Sequence, residues 1–319
     1  MTIDQYVLTG RLAEDGQTMD FPVLRDGQLV PKIRATYRDP YSFACVRGGD
    51  NLVYVAVRDE TKVRIEYLRK VAVPFKEKGR IAGVREFGFD EITFWTDEGT
   101  TLLKIHPGIQ ASISSARPYH VFEMLDTSER YRDENEMAED FLYNPTKATL
   151  TPEGAESGVK HFPESLALRE RGNRLIQLPG VIVYPDYCAS RIPGWLAKEF
   201  NGSPEFGFAY SPFTEPRSGE VLHLHQEIME PYIGLEGELP LFVATEDGGE
   251  TLAVKHGDDE KTYRGEIIPV CAGDIVLPLQ NVPHRIQFDG ARFPFTMYCV
   301  NYADKTLDQV PGSDRVVLE

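Results

Sequence analysis

"HLHQEIMEPYIGLEG", residues 223–237, contains two of the chain's seven histidines, together with three glutamates and two glycines. Alternate side chains of a β-strand point to opposite faces, so His223 and His225 share one face and Leu224 lies on the other. Two imidazoles in this arrangement can bind one ion. Glu230 follows after a short turn, and its carboxylate can fold back onto the same ion. The stretch therefore predicts half of a metal site.

A second stretch, "PHRIQF" at residues 283–288, supplies the other half. Its alternation places His284, Ile286 and Phe288 on one inward face. Three imidazoles and one carboxylate form a mixed nitrogen and oxygen set that suits Fe(II), Mn(II), Ni, Cu or Zn. One or more coordination positions remain for water, oxygen or substrate. The predicted metal ligands are His223, His225, Glu230 and His284.

These residues resemble the two motifs of the cupin superfamily. The spacing His-x-His, four residues, Glu, six residues, Gly is similar to the first motif and is met by His223, His225, Glu230 and Gly237. The second motif runs from a glycine to a histidine eleven residues later, as Gly273 and His284 do. Asn281 stands where the family usually has glycine, and asparagine tolerates left-handed backbone better than most residues. Phe288 replaces the usual closing asparagine.

The rest of the chain predicts strands on both sides of a helical middle section. "NLVYVAVRDETKVRIEYL", residues 51–68, alternates around a charged turn as a hairpin does, and "DEITFWTDEGTTLLKIHPG", residues 90–108, repeats the pattern. Residues 126–175 contain two helix-like segments. About eight short strands follow between residues 205 and 304. The polar tail from residue 304 is expected to pack loosely.

The cupin resemblance implies a mostly β bicupin. We expect two antiparallel β-barrels joined by helices: a degenerate N-terminal barrel at 1–125, a helical linker at 126–200 and a metal-binding barrel at 201–319. The first half has no His-x-His, and its two histidines, His106 and His120, each stand alone. We therefore expect that half to be structural. Cupins usually pair through barrel edges, so the resemblance also implies a homodimer.

The activity that the resemblance implies is that of a non-haem Fe(II) dioxygenase, with O2 and a small aromatic or hydroxylated acid as substrates. Two alternatives stay open. One is a redox-silent metal-dependent isomerase, lyase or decarboxylase with Mn, Ni or Zn, and the other is a small-molecule-binding bicupin without catalysis. Candidate catalytic residues are Glu230, Glu227 and Tyr232. An exposed loop carboxylate and a core aromatic residue are the structural interpretations of the last two.

Composition narrows the classes of partner. The 319 residues carry a formal net charge of −16, which repels phosphate backbones and anionic lipid. We therefore expect neither nucleic acid nor membrane as a partner, and a small molecule as substrate. Four widely separated cysteines favour free thiols over a disulfide framework. The N-terminus has no apolar leader and no run long enough to cross a bilayer, so a cytoplasmic location is the expectation.

Overall fold

The computed structural model describes residues 3–46, 51–59, 61–67, 71–77, 80–87, 91–96, 99–105, 111–125, 159–160, 176–178, 181–184, 207–216, 221–256, 259–305 and 307–318. Strands make up most of this part of the chain, and its helices are short 3-10 turns at Ile3–Gln5 and Leu307–Gln309. The predicted mostly β fold class is confirmed. No helix among the described residues has the length and apolar character required to cross a membrane.

The chain divides into two compact units. The N-terminal unit comprises Glu14–Phe21 and Pro31–Tyr187, and the C-terminal unit comprises Met1–Ala13, Pro22–Val30 and Cys188–Glu319. Residues 3–13 thus group with the C-terminal unit. The predicted boundaries near residues 125 and 200 stay a prediction, because most of 126–200 lies outside the described residues.

The N-terminal unit is built from three antiparallel sheets and one short parallel pairing. Half of β2 (Thr18–Arg25) belongs to this unit. The strands that lie wholly or mainly in it are β3 (Gln28–Arg38), β4 (Ala44–Val46), β5 (Leu52–Arg58), β6 (Lys62–Tyr67), β7 (Val71–Glu77), β8 (Arg80–Phe87), β9 (Glu91–Trp95), β10 (Thr100–Ile105), β11 (Ala111–Ser115), β12 (Tyr119–Met124), β13 (Val159–Lys160), β14 (Ile176–Leu178) and β15 (Val181–Tyr184). One sheet has the order β14-β15-β10-β5-β12-β3-β2, a second has the order β13-β9-β6-β11-β4, and β7 pairs with β8.

The two hairpins predicted in this unit are wrong, although their strands exist. β5 pairs with β10 and β12, while β6 pairs with β9 and β11 in the other sheet. The chain therefore crosses between sheets at the charged turn, where Asp59 has a positive φ of 58°. Burial alternates along β6, whereas β5 is buried on both faces, and neither pattern identifies the partner strand. Both sheets bury apolar side chains, including Val55, Val57 and Ile65.

The described pieces of the predicted helical linker are strands. Val181–Tyr184 pairs with β10, and Ile176–Leu178 pairs with Val181–Val183. The run "VIVY" at 181–184 explains this difference, because β-branched and aromatic side chains favour strands. The predicted helices elsewhere in residues 126–200 lie outside the described residues.

In the C-terminal unit, one long bent strand organises a single antiparallel sheet. The strands are β1 (Val7–Arg11), β16 (Gly207–Phe213), β17 (His223–His225), β18 (Tyr232–Ala244), β19 (Glu250–His256), β20 (Asp259–Cys271), β21 (Asp274–Pro278), β22 (His284–Ile286), β23 (Arg292–Asn301) and β24 (Arg315–Val317). β18 pairs with β21 and β23 along its first part and with β20 and β22 along its last part. β1 pairs with β21, and β16 pairs with β23.

The bend in β18 depends on a motif glycine. Gly237 has a φ of +73°, and a Cβ at this position would lie 2.3 Å from the carbonyl oxygen of Pro294. The register between β18 and β23 shifts on both sides of Glu236. Only glycine fits this combination of left-handed backbone and close approach. Asn281 also has a positive φ, of 63°, as its place in the second motif predicts.

The C-terminal tail pairs with β17, the strand that contains His223 and His225. β17 lies between β22 and β24, so the tail strand pairs directly with His223–His225. The backbone amide of Leu318 also donates to the carbonyl oxygen of Leu222 at 2.9 Å. The expectation of a loosely packed tail is therefore wrong. The tail is polar in composition, yet it contains the short strand β24, which pairs with the histidine strand at the edge of the sheet.

Candidate metal centre

The four predicted ligands meet at one point in the C-terminal unit. The Nε2 atoms of His223, His225 and His284 lie 3.4, 3.3 and 3.3 Å from the same oxygen, Oε2 of Glu230. Register explains part of this convergence, because His223 and His284 are paired residues of β17 and β22. Glu230 lies between β17 and β18, where the chain turns back toward the histidine strand. All three histidines are buried.

Each imidazole is anchored through its outer nitrogen. Nδ1 of His223 lies 2.9 Å from the carbonyl oxygen of Val221, and Nδ1 of His284 lies 2.9 Å from that of Val282. A carbonyl oxygen only accepts, so both Nδ1 atoms carry the proton and donate. The Nε2 lone pairs therefore face Glu230. Neutral imidazole in this tautomer is the form that binds a metal ion.

The distances from Glu230 fit one divalent ion, and ligand atoms of His223, His225 and Glu230 all lie within 4.8 Å of one another. Ligand atoms about 2.1 Å from an ion, at bond angles of roughly 90–110°, lie about 3.0–3.4 Å apart. The distances from Glu230 to the three imidazoles match this range. Nε2 of His225 is buried and makes no hydrogen bond, although it faces the carboxylate. A buried nitrogen in that position needs a partner, and a metal ion supplies one.

The carboxylate of Glu230 is held by two further side chains. The hydroxyl of Tyr232 donates to Oε2 at 2.9 Å, and the thiol of Cys299 donates to Oε1 at 3.1 Å. Tyr232 and Cys299 face each other across β18 and β23. Burial raises the pKa of Glu230, but the charge of His225 and the three imidazoles around the carboxylate outweigh burial and lower its pKa well below the usual range. Glu230 is therefore ionised and ready to bind a cation.

The histidines differ in charge when the ion is absent. Burial disfavours the charged form of His225, but Glu230 and Asp314 outweigh burial and raise its pKa to about 9. Burial is the main cause that lowers the pKa of His284. The metal-free centre thus contains the ion pair of His225 with Glu230 beside a neutral His284. Metal binding displaces the proton of His225.

Two candidate catalytic residues have different surroundings. Tyr232 contacts a ligand directly through its hydroxyl. Glu227 forms an ion pair with Lys305, and its carboxylate is 38% exposed. The structure therefore brings Tyr232 into the centre and places Glu227 in a surface ion pair. The role of each in a reaction stays a prediction.

Three residues that contact the ligands were missed by sequence reasoning: Cys299, Asp314 and Arg315, whose Nη2 lies 3.4 Å from Nδ1 of His223. Cys299 lies on the inward face of β23, and the alternation in "FPFTMYCVN" was a signal for its direction but not for its neighbour. Asp314 lies in the tail, 89 residues from His225, yet its Oδ2 is 2.7 Å from Nδ1 of that histidine. No local pattern marks an aspartate in a polar tail as part of a metal site.

The interior next to the centre is apolar. Tyr232 and Cys299 belong to a buried cluster that also contains Val243, the residue of β18 that is paired with His284. The members of this cluster are Val7, Ala209, Phe213, Tyr232, Leu239, Leu241, Val243, Val270, Val276, Val282, Ile286, Phe295, Met297 and Cys299. Within the described part of the C-terminal unit, no lysine or arginine side chain is buried. One cationic group contacts the centre from its outer side, because Nη2 of Arg315 lies 3.4 Å from Nδ1 of His223, the nitrogen that faces away from Glu230.

Comparison with known proteins identifies only distant likenesses in structure. No family model and no curated protein matches the sequence. One solved structure that resembles the chain is that of an oxalate decarboxylase, studied for its substrate binding mode. The two chains share 14% sequence identity over a match that covers 98% of this chain and 79% of the other, with a TM-score of 0.47. Others are a Lactobacillus farciminis oxalate decarboxylase with formate (15%, 100% and 90%, TM-score 0.44) and the Bacillus subtilis enzyme with Mn(II) centres (15%, 98% and 79%, TM-score 0.46). A likeness this distant does not transfer their activity to this chain.

Proposed function

We propose that the C-terminal unit is a cupin-type metal centre and that the chain is a metal-dependent enzyme acting on a small organic acid. The observation that supports this most directly is the approach of three imidazole Nε2 atoms to one carboxylate oxygen at 3.3–3.4 Å. A purely structural cluster would pair its buried nitrogens with acceptors. Here the Nδ1 atom of each histidine has a hydrogen-bond acceptor, whereas the three Nε2 atoms face the same oxygen of Glu230.

The charge of the ligand set restricts the substrate. Three neutral imidazoles and one carboxylate leave a divalent ion with a net charge of +1. One negative charge on a substrate neutralises that centre, and a second would be buried without a partner among apolar side chains. Arg315 contacts the centre at Nδ1 of His223, on the side away from Glu230, so its charge is not directed toward a substrate on the ion. We therefore propose a monoanion, such as a 2-oxo or 2-hydroxy monocarboxylate, rather than a dicarboxylate.

A redox-silent reaction is the better candidate, and decarboxylase, lyase and isomerase chemistry all belong to this class. The thiol of Cys299 lies 3.1 Å from Glu230, inside the cluster where oxygen would be activated by a dioxygenase. Oxygen activated at the ion would form next to this thiol, which can be oxidised to a sulfenic acid and beyond. The dioxygenase stays the second candidate, favoured by the apolar lining that would exclude water from a reactive oxidant.

In this proposal the bound ion polarises a substrate oxygen and stabilises the negative charge that develops on it. His223, His225, His284 and Glu230 hold the ion. Tyr232 holds a proton on its hydroxyl, 2.9 Å from the Glu230 oxygen, and Cys299 holds one on its thiol, 3.1 Å from the other oxygen. The apolar side chains exclude water and accommodate the body of the substrate.

The first experiment measures metal content. Wild-type protein purified anaerobically is expected to contain about one divalent ion per chain by elemental analysis. His225→Ala and His284→Ala are expected to lose most of it, since each change removes a ligand. Glu227→Gln is the matched control, because it alters a carboxylate of the same stretch that pairs with Lys305 instead. Wild-type metal content in both histidine variants would overturn the site.

The second experiment separates the two reactions. Mn(II)-loaded protein is incubated with 2-oxo and 2-hydroxy monocarboxylates and with their dicarboxylate analogues, and products are followed by ¹³C NMR under nitrogen and under air. Turnover of a monocarboxylate under nitrogen supports the redox-silent reaction. Turnover only in air, with matching uptake at an oxygen electrode, overturns it in favour of the dioxygenase. Preferential turnover of dicarboxylates would contradict the charge argument.

A further inference from the structure

The tail aspartate Asp314 makes a set of hydrogen bonds centred on one metal ligand. Its Oδ2 lies 2.7 Å from Nδ1 of His225. Its Oδ1 accepts from the backbone amides of Glu227 and Ile228, at 2.6 and 3.1 Å. Its own carbonyl oxygen accepts from the amide of Gln226 at 3.2 Å. Asp314 is 4% exposed, so these bonds form away from solvent.

The strand after Asp314 keeps it in place. β24 pairs with β17 in the register Val317 with His223, Val316 with Leu224 and Arg315 with His225. One side of the histidine strand is therefore covered by the tail, and the other side is paired with β22. The position of His225 consequently depends on residues near the C-terminus as well as on its own motif.

The acceptor on Nδ1 decides which nitrogen of His225 faces the ion. A neutral imidazole carries one proton, and a carboxylate at Nδ1 holds that proton there and leaves Nε2 with a free lone pair. His223 and His284 have backbone carbonyl oxygens in this role. Only His225 among the three has a side-chain acceptor at Nδ1, so a single substitution can remove that acceptor without altering the ligand itself.

We propose that Asp314 is a positioning residue of the metal centre, and that the tail segment 310–318 is needed for high metal affinity. The inference depends on metal binding by the proposed site but not on which reaction the enzyme performs. Loss of a carboxylate that supports a ligating histidine typically weakens metal binding about 10- to 100-fold.

Asp314→Asn is the informative variant, because asparagine has nearly the same size and still has one acceptor oxygen. The native carboxylate accepts on both oxygens, from His225 on one side and from two backbone amides on the other. An asparagine amide group offers an acceptor on one side and a donor on the other. Either the histidine or the backbone then faces a donor, so Asn cannot satisfy both.

Asp274→Asn is the matched control. Asp274 also accepts a backbone amide, from Cys271 at 3.2 Å, and pairs with Arg11 at 3.2 Å. It makes no hydrogen bond to a metal ligand in the described part of the chain. A general loss of tail or sheet packing would affect folding, and thermal unfolding of both variants measures this separately.

The test titrates metal-free wild type, Asp314→Asn and Asp274→Asn with Zn(II) against a competing chelator. The zinc-loaded proteins, labelled with ¹⁵N at histidine, are then examined by NMR for the proton on Nδ1 of His225. We expect Asp314→Asn to bind zinc about 10- to 100-fold more weakly and to lose the low-field signal of that proton. Asp274→Asn is expected to match wild type in both measurements.

The outcomes separate this inference from the proposed function. If wild type binds no zinc, the metal centre itself is refuted. If wild type binds zinc and Asp314→Asn binds it equally well with an unchanged Nδ1 signal, the positioning role is refuted while the centre stands. Weaker binding with an unchanged Nδ1 signal would also refute it, because the loss would then come from packing and not from orientation of the imidazole.

Discussion

Acidification should destabilise the N-terminal unit through His120. This imidazole is 4% exposed, lies edge-on to Tyr37 at a centroid distance of 5.4 Å and stacks on Phe122 at 6.2 Å. Burial, assisted by the positive charge of Arg58, lowers its pKa from 6.5 to about 3. His120 is therefore neutral in the folded unit at any pH above about 3. In the unfolded chain it takes up a proton below about pH 6.5.

The sign and the size of the change in unfolding free energy with pH follow from this difference in pKa. Between about pH 6.5 and pH 3 the unfolded state binds one proton more than the folded state, so stability is present above 6.5 and is lost as the pH falls. Each pH unit below 6.5 costs about 1.4 kcal/mol. From pH 7 to pH 5, His120 alone should lower the free energy of unfolding by about 2 kcal/mol.

The measurement compares wild type with His120→Gln in urea unfolding at pH 7, 6 and 5. Other groups titrate in both proteins, so their contributions cancel in the difference. We expect the stability of the variant to fall less steeply, by about 2 kcal/mol over this range. Equal slopes in the two proteins would refute the conclusion that His120 is a buried neutral residue. The expected result supports the prediction that this lone histidine is structural.

Three further changes probe the C-terminal unit. Gly237→Ala should destabilise it by more than about 1 kcal/mol, since the backbone is left-handed and crowded there, whereas Gly249→Ala meets no atom within 4 Å and should change the urea midpoint little. Tyr232→Phe removes a hydrogen bond to Glu230 and should weaken Zn(II) binding about tenfold without unfolding the protein, and equal affinity in a chelator competition would contradict this. Glu227→Gln breaks a surface ion pair and should change the unfolding free energy by less than about 1 kcal/mol, as a thermal melt can check.

The directions of the predicted ligands were accessible from sequence because local rules suffice for them. Strand alternation places His223 and His225 on one face, and the same rule turns His284 inward with Ile286. The left-handed backbone at Gly237 and Asn281 is also a local property, set by which residues tolerate a positive φ. Each of these inferences needs only a few neighbouring residues, so a single sequence was enough.

Strand partners and supporting contacts depended on the tertiary structure. β5 and β6 are adjacent in sequence but pair in different sheets, and alternation is the same for either arrangement. Asp314 reaches His225 across 89 residues, and Cys299 reaches Glu230 across 69. Hydrophobic periodicity determines which face of a strand is buried, while the choice of neighbour arises from packing of the whole unit. The sequence by itself therefore determined which side chains share a strand face, and only the fold decided which of them meet and which others hold them in place.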